Sequence, residues 1–327
     1  QFATNLEHLK NKADSIGFCF SYPMQIQKDG DGVLLGFSKE VKAPEVVGCA
    51  IGKCLKDALV AHGWNAPKRI TLLNDTVAAL LAGKAGAKST PYSSYIGFIL
   101  GTGMNAAYIQ PSFTFEKFGS DFQKQIVVCE SGKFFDLARS DFDIQLDSES
   151  TCPGMYITEK QCSGAYLGPL CLYALKSAAQ DGLFDSDSAF KAKLLNLPSL
   201  ELIDVGKFLE NPLSKDTIFS DVNDIHLKEI IFEICDTFIE RSARISSGLL
   251  CASVLKQVSD ENEKCRTRIS PICISCDGTT LFKTYNLKSR IEAYLYNELT
   301  EKNGIYFETV AIDNPITIGT AMAAFGG

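Results

Sequence analysis

Short apolar runs alternate along this chain with longer stretches of helical periodicity, and together they predict its elements. An N-terminal segment carries Phe2, Leu6 and Leu9 at helical spacing, and the apolar run 16–23, stopped by Pro23, reads as a strand. Residues 46–62 are periodic as a helix and are closed by Gly63. The run 70–73 predicts a strand and 77–81 the start of a helix. Two apolar strands within 95–108 flank Gly101-Thr102-Gly103, the pattern of a hairpin with a glycine turn. A strand at 125–129 ends in Glu130-Ser131-Gly132, and Cys152-Pro153-Gly154 opens a helix with Glu159 one to two turns in. Residues 180–224 are polar and broken by prolines, which predicts short helices and loops. One long helix follows over 225–255, and the small residues of 242–253 suit it to close packing on a sheet. A strand running from 268 into Asp277-Gly278, a helix at 285–299, an edge strand at 306–312 and a final helix at 315–325 complete the pattern.

Composition narrows the function classes. A chain of 327 residues is long enough for a large core and for two domains. A net charge of −7, with no run of Lys and Arg, argues against a nucleic-acid partner. No apolar stretch approaches the roughly eighteen residues of a membrane span. The first residues, Gln1-Phe2-Ala3-Thr4, follow no signal-peptide pattern and look like a cut into a helix. The twelve cysteines lie mostly in apolar runs, where free Cys behaves as a small hydrophobe, and they fit a reducing, cytoplasmic setting. Cys273 and Cys276 fall in a predicted strand, where positions three apart face opposite sides, so they do not read as a zinc site. Asp141, Asp143, Asp147 and Glu149 read as a solvated acidic stretch without metal spacing.

Candidate chemistry collects at the turns. Asn74 and Asp75 sit where a strand passes into a helix. There they can be a cap that satisfies orphan N–H groups, or Asp75 can be a carboxylate that takes a proton from a substrate hydroxyl. The glycines of Gly101-Thr102-Gly103 would let backbone N–H groups approach an anion, although most such tripeptides are simple hairpin turns. Ser21, at the end of an apolar strand, reads as a turn residue or a ligand contact, and Lys39 by itself as a surface charge. Strand, glycine turn and helix N-terminus at 268–280 make a candidate nucleotide site, and no P-loop signature is present.

Taken in order, these segments resemble the eukaryotic-type hexokinases over almost the whole chain. The family's small-lobe sugar segment is matched by Gly17-Phe18-Cys19-Phe20-Ser21-Tyr22-Pro23, and a second by Ser38-Lys39-Glu40-Val41-Lys42-Ala43. Asn74-Asp75-Thr76-Val77 and Gly101-Thr102-Gly103-Met104-Asn105-Ala106 match two further motifs, and Glu130 falls where the family has a sugar-binding Glu. Pro153-Gly154, Glu159-Lys160 and Tyr166-Leu167-Gly168 follow, and Asp277-Gly278-Thr279 matches the adenosine segment with one shifted residue. The Trp that usually follows the first sugar Glu is replaced by Ser131.

The resemblance implies an α/β, actin-like (ribonuclease-H-like) fold of two lobes around a cleft. Residues 1–75 would supply the rest of the small lobe and 76–327 the large lobe, with the C-terminal helix returning toward the hinge. It also implies transfer of the γ-phosphate of ATP, with Mg²⁺, to the 6-hydroxyl of a hexose such as glucose. Asp75 would be the general base, and Ser21, Ser38, Lys39, Asn74, Asn105, Glu130 and Glu159 would hold the sugar. Gly101, Thr102 and Gly103 would cradle phosphate, while Gly278 and Thr279 would lie along the adenosine. The family's opening Asp-x-Gly-Gly-Thr-Asn phosphate loop has no counterpart, so the sequence looks like one lacking the N-terminal strands, with impaired Mg·ATP binding and low turnover expected. Two readings compete: a non-catalytic sugar-binding or regulatory protein of the same fold, and an actin- or chaperone-like nucleotide switch without a small substrate.

Overall fold

The structure, a computed structural model, describes residues 2–27, 29–37, 43–87, 91–111, 124–260 and 267–326. Ser38 and Lys39 lie outside the described residues. The chain begins with α1 (Phe2–Asn5) and a strand β1 (Ser15–Cys19), followed by the hairpin of β2 (Met24–Ile26) and β3 (Gly32–Leu34). Helix α2 (Ile51–Ala61) starts later than its periodicity predicts, because Gly48 stands at a φ of 83° and breaks the run from Val46. Strand β4 (Arg69–Leu73) then pairs parallel with β1, Gly17 opposite Thr71.

Helix α3 (Asp75–Gly86) leads into a second sheet built from β5 (Ser94–Leu100), β6 (Met104–Pro111) and β7 (Lys124–Val128), paired antiparallel in sequence. Helices α4 (Asp141–Glu149), α5 (Ile157–Cys162), α6 (Gly164–Gln180), α7 (Ser188–Asn196), α8 (Leu202–Glu210) and the 36-residue α9 (Ile225–Asp260) follow. The sheet is completed by β8 (Ile272–Asp277) and β9 (Phe307–Ala311), which enter parallel to β5, so the strand order is β7-β6-β5-β8-β9. Between them lie α10 (Thr279–Lys283) and α11 (Leu287–Leu295), extended by a π turn at Tyr296–Glu301, in place of the single helix expected over 285–299. Helix α12 (Pro315–Ala324) ends the chain.

Both faces of the five-stranded sheet are covered. On one face Ile272, Ile274 and Cys276 of β8 join Phe98 and Ile96 of β5 in a large core with α6, α9 and α11. On the other, Ser275 and Cys273 meet Gly83 of α3, so Cys273 and Cys276 do face opposite sides. No metal-holding cluster and no disulfide occur among the described residues. The small residues of α9 allow the close approach to the sheet that their pattern predicts: the wholly buried Ser246 lies with its Oγ 3.7 Å from the Met104 sulfur of β6, while Ser242 Oγ donates to the Cys162 carbonyl of α5 at 2.7 Å.

Glycines also set the joint between the two sheets. A β-carbon on Gly319 of α12 would collide with the Ala78 carbonyl of α3, and one on Gly17 of β1 with the Thr320 carbonyl of α12. Helix α12 therefore lies against both α3 and β1, and the β4-to-α3 turn that carries Asp75 is held beside it. Among the described residues no helix is long and apolar enough to cross a membrane.

Candidate functional site

A cleft of about 680 Å³ opens where the two sheets meet. Ser21, Asn74 and Asp75 line it from the β1 and β4 side, and Gly101, Thr102, Gly103, Asn105, Glu130 and Glu159 from the five-stranded sheet and α5. Nine of the residues singled out in the sequence thus converge on one cavity from five separate stretches of chain. Gly278 and Thr279 do not line it; Gly278 lies behind the hairpin turn, against the Leu100 carbonyl and Gly101.

The cap and the carboxylate at the β4-to-α3 turn separate into two jobs. Asn74 is the N-cap residue, its Oδ1 accepting the Thr76 N–H at 2.9 Å and also the Thr76 hydroxyl. Asp75 is the first helical residue, and its Oδ1 takes the same N–H at 2.8 Å while the side chain stays half-buried on the cleft wall. Ser21 sits nearby: its hydroxyl is 3.8 Å from the Cys19 sulfur. Burial pushes the Cys19 thiol up against the lowering by Ser21, and the charge of Asp75 adds to the rise.

The hairpin turn does more than bend the chain. The Gly101 N–H is used within the turn, donating to the Gly103 carbonyl at 2.9 Å. The Met104 N–H donates to the Glu159 carboxylate at 3.1 Å. Gly103 is where that carboxylate rests, since a β-carbon there would strike Glu159 Oε2, and Gly132 contributes the opposite side of the same seat. Gly101, Thr102 and Gly103 all line the cleft, with Thr102 exposed at the tip of the turn. The Thr102 carbonyl is held from behind by Ser163 Oγ at 2.8 Å, and the Gly101 carbonyl by Thr280 Oγ1 at 2.8 Å.

Asn105 is oriented by Ser131. Its Oδ1 accepts the Ala106 N–H at 2.9 Å and the Ser131 N–H at 3.3 Å, which leaves its NH₂ as the donor end of the side chain. Glu130 precedes Ser131 with a φ of 50°, and Tyr156, also on the cleft wall, stands at 55°. Left-handed backbone is uncommon outside Gly, Asn and Asp, and these two residues hold it at the same cavity. Glu130 is paired with Lys133 at 2.9 Å, and both are nearly half exposed, so the pair orients Glu130 more than it stabilises the fold.

Support for Glu159 comes from residues first read as solvent-facing acid. Residues 141–149 are a helix with a Ser140–Asp143 capping box, and Asp143 and Asp147 are buried. Asp143 takes a bidentate bond from Arg241 at 2.8 and 2.9 Å, and Arg241 also donates to the Gln161 carbonyl at 3.3 Å. Lys160, adjacent to Glu159, spends its three donors on Asp147 (2.6 Å), Ser150 Oγ (2.8 Å) and the Cys152 carbonyl (2.8 Å). Burial tends to raise the Asp147 carboxyl, but Lys160 and the Gly154 N–H outweigh it and hold the group below its ordinary value. The loop 150–156 and the first turn of α5 are thereby fixed together. Sequence reasoning missed these anchors, as well as Lys133 and Tyr156 in the cleft.

Comparison with known proteins points one way. Residues 95–325 match one hexokinase family model and residues 2–85 a second. Hexokinase-1 of Schizosaccharomyces pombe is 27% identical over 340 residues, covering 99% of this chain and 67% of its own length. Hexokinase-1 of Spinacia oleracea is 30% identical over 273 residues, covering 78% of this chain, and the chain spans 54% of the spinach protein. The chain spans 31% of human hexokinase-1, to which it is 28% identical. Among solved structures, a Schistosoma mansoni hexokinase complexed with glucose superposes with a TM-score of 0.79 at 24% identity, covering 99% of this chain and 73% of that one. A ROK hexokinase from Thermus thermophilus, 13% identical, gives 0.57 over 99% of this chain and 85% of its own. The fold is that of the actin-like hexokinases.

Proposed function

This chain belongs to the hexokinase family, and on that premise we propose that it is a sugar kinase moving the γ-phosphate of ATP to the 6-hydroxyl of a hexose such as glucose. The observation that carries this is the meeting of Asp75 with Asn74, Asn105, Glu130 and Glu159 in one cleft. Amide donors and carboxylate acceptors around one cavity suit the alternating hydroxyls of a pyranose.

In this reading the sugar lies between Asp75 and Glu159. Asp75 takes the proton of the 6-hydroxyl as its oxygen bonds to the γ-phosphorus and the bond to the departing ADP oxygen breaks. A carboxylate is a weak base at neutral pH, and desolvation as the lobes close raises its basicity. Residues 1–75 act as the small lobe and 76–327 as the large one, so hexose contacts from both sides couple binding to closure and keep water from the phosphate. Ser38 and Lys39 would join from the small lobe.

Thr102 and Gly103 offer donors to phosphate, and Gly278 and Thr279, behind the same turn, lie where the rest of the nucleotide would run. Mg²⁺ binds through nucleotide phosphates with one or two carboxylates rather than an all-protein cage. The cleft presents the carboxylates of Asp75, Glu130 and Glu159 near the Gly101-Thr102-Gly103 turn, and one of these could share such an ion with the phosphates. When bound, the ion would neutralise charge on the phosphate oxygens.

Calorimetric titration with glucose, alone and with Mg·ATP, tests the proposal together with a coupled assay for ADP. The kinase reading requires glucose binding and ADP release that, however slow without the first phosphate loop, depends on glucose. Binding without ADP release would instead mark a non-catalytic sugar-binding or regulatory protein, and no glucose binding a nucleotide switch.

A further inference from the structure

The cleft does not stop at Glu159. Beyond it the wall is formed by α6, where Ala165, Tyr166, Pro169 and Tyr173 line the cavity at positions i, i+1, i+4 and i+8, one continuous helical face. From Tyr166 to Tyr173 that face runs roughly 10 Å at 1.5 Å per residue, more than the width of one pyranose ring. Tyr156, with its left-handed backbone, also lines the cavity from the loop before α5.

The chemistry of this annex is that of a sugar ring's surroundings. Three tyrosine rings and a proline ring supply apolar faces for the C–H side of a pyranose, and each tyrosine keeps a polar tip. Tyr173 donates to Glu149 Oε2 at 2.5 Å, with Glu149 exposed at the cavity edge and able to accept further hydroxyls. Burial pushes the Tyr166 phenol up to about 12, and the Glu159 charge adds to the rise. Tyr166 and Glu159 line the same cavity, so the annex is continuous with the sugar site. Gly278 and Thr279, the expected adenosine side, lie outside this cavity.

Resting on the hexose-kinase reading, we propose that the annex takes a second pyranose. The ligand would be a disaccharide whose first ring sits between Asp75 and Glu159. With the 6-hydroxyl at Asp75, the ring carbon across from C5 is C2, and of its neighbours C1 and C3 the anomeric C1 is the one through which glycosidic bonds are formed. The second ring is therefore joined through C2 or C1, and the 6-hydroxyl remains available to Asp75.

Calorimetry on the full chain with glucose, sophorose (linked through C2) and trehalose (linked through C1) tests this. At least one disaccharide binds within about tenfold of glucose, and Tyr173→Ala weakens that disaccharide about tenfold more than it weakens glucose, the size of one lost ring contact. Tyr173→Phe, which keeps the ring and loses only the hydroxyl, retains most of the affinity and guards against a folding defect in the alanine variant. Glucose binding with both disaccharides more than about a hundredfold weaker overturns the annex and leaves the kinase reading standing. So does an equal effect of Tyr173→Ala on glucose and disaccharide, or displacement of the disaccharide but not glucose by ADP. Failure of glucose itself to bind overturns the underlying reading and the annex with it.

Discussion

Glu159 rests its carboxylate over Gly103, in space a β-carbon would fill, and accepts the Met104 N–H at 3.1 Å. A glycine proposed to bring backbone near phosphate also makes room for the acid proposed to bind the sugar. Gly103 is not among the residues with left-handed backbone, so alanine is conformationally acceptable there.

Gly103→Ala should therefore fold normally and displace Glu159. Loss of a hydrogen bond to a charged group is worth about 1.5–3 kcal/mol, so hexose affinity should fall about tenfold or more. Calorimetry measures the affinity and thermal melting the fold. An unchanged hexose affinity would show that Glu159 does not touch the sugar.

The cap at the β4-to-α3 turn gives an independent test. Asn74→Ala removes one of the two acceptors of the Thr76 N–H, Asp75 being the other, and should cost up to about 1 kcal/mol in urea unfolding, while Asn74→Asp, also a good cap, should cost little. Hexose binding should weaken in both variants, because neither side chain presents the amide donor of Asn74.

The Lys160–Asp147 pair predicts how the fold responds to acid. Lys160 is 3% and Asp147 12% exposed, and they meet at 2.6 Å. Lys160→Met leaves a buried carboxylate without its main partner and should cost about 3–5 kcal/mol. Asp147 is depressed in the folded chain relative to its ordinary 3.8. Its contribution is therefore fully present above that unfolded value and is lost as pH falls through the lower folded value. Melting temperatures followed from neutral pH to below 3.8 should show an acid-side decline that is shallower in Asp147→Asn, which cannot ionise.

Local chemistry made much of the site legible. Asn74-Asp75 announced itself by polar residues between a strand and a helix, and Gly101-Thr102-Gly103 by glycines between two apolar strands. The stretch 141–149 misled because the partner that buries Asp143 is Arg241, 98 positions away, and no spacing within the stretch points to it. Its Ser140–Asp143 capping box was a readable helix signal. The late start of α2 had a signal too, in Gly48 inside the periodic run. The left-handed backbone at Glu130 and Tyr156 had none, since nothing in either side chain favours it. Burial of the Cys171 and Cys235 thiols followed from their apolar runs, whereas the seating of Glu159 on Gly103 and Gly132 needed three segments to be brought together.

In the proposed kinase one carboxylate, Asp75, takes a proton while its neighbours in the cleft hold the sugar. Asp75→Asn keeps the shape of the side chain, and the cap at Asn74 remains. Glucose calorimetry and coupled turnover on this variant separate the two roles. Glucose affinity should stay within a few-fold of the parent chain while turnover falls about 10²–10⁴-fold, the range for loss of a general base. Turnover that survives the substitution, or glucose binding that disappears with it, would contradict the assignment of Asp75.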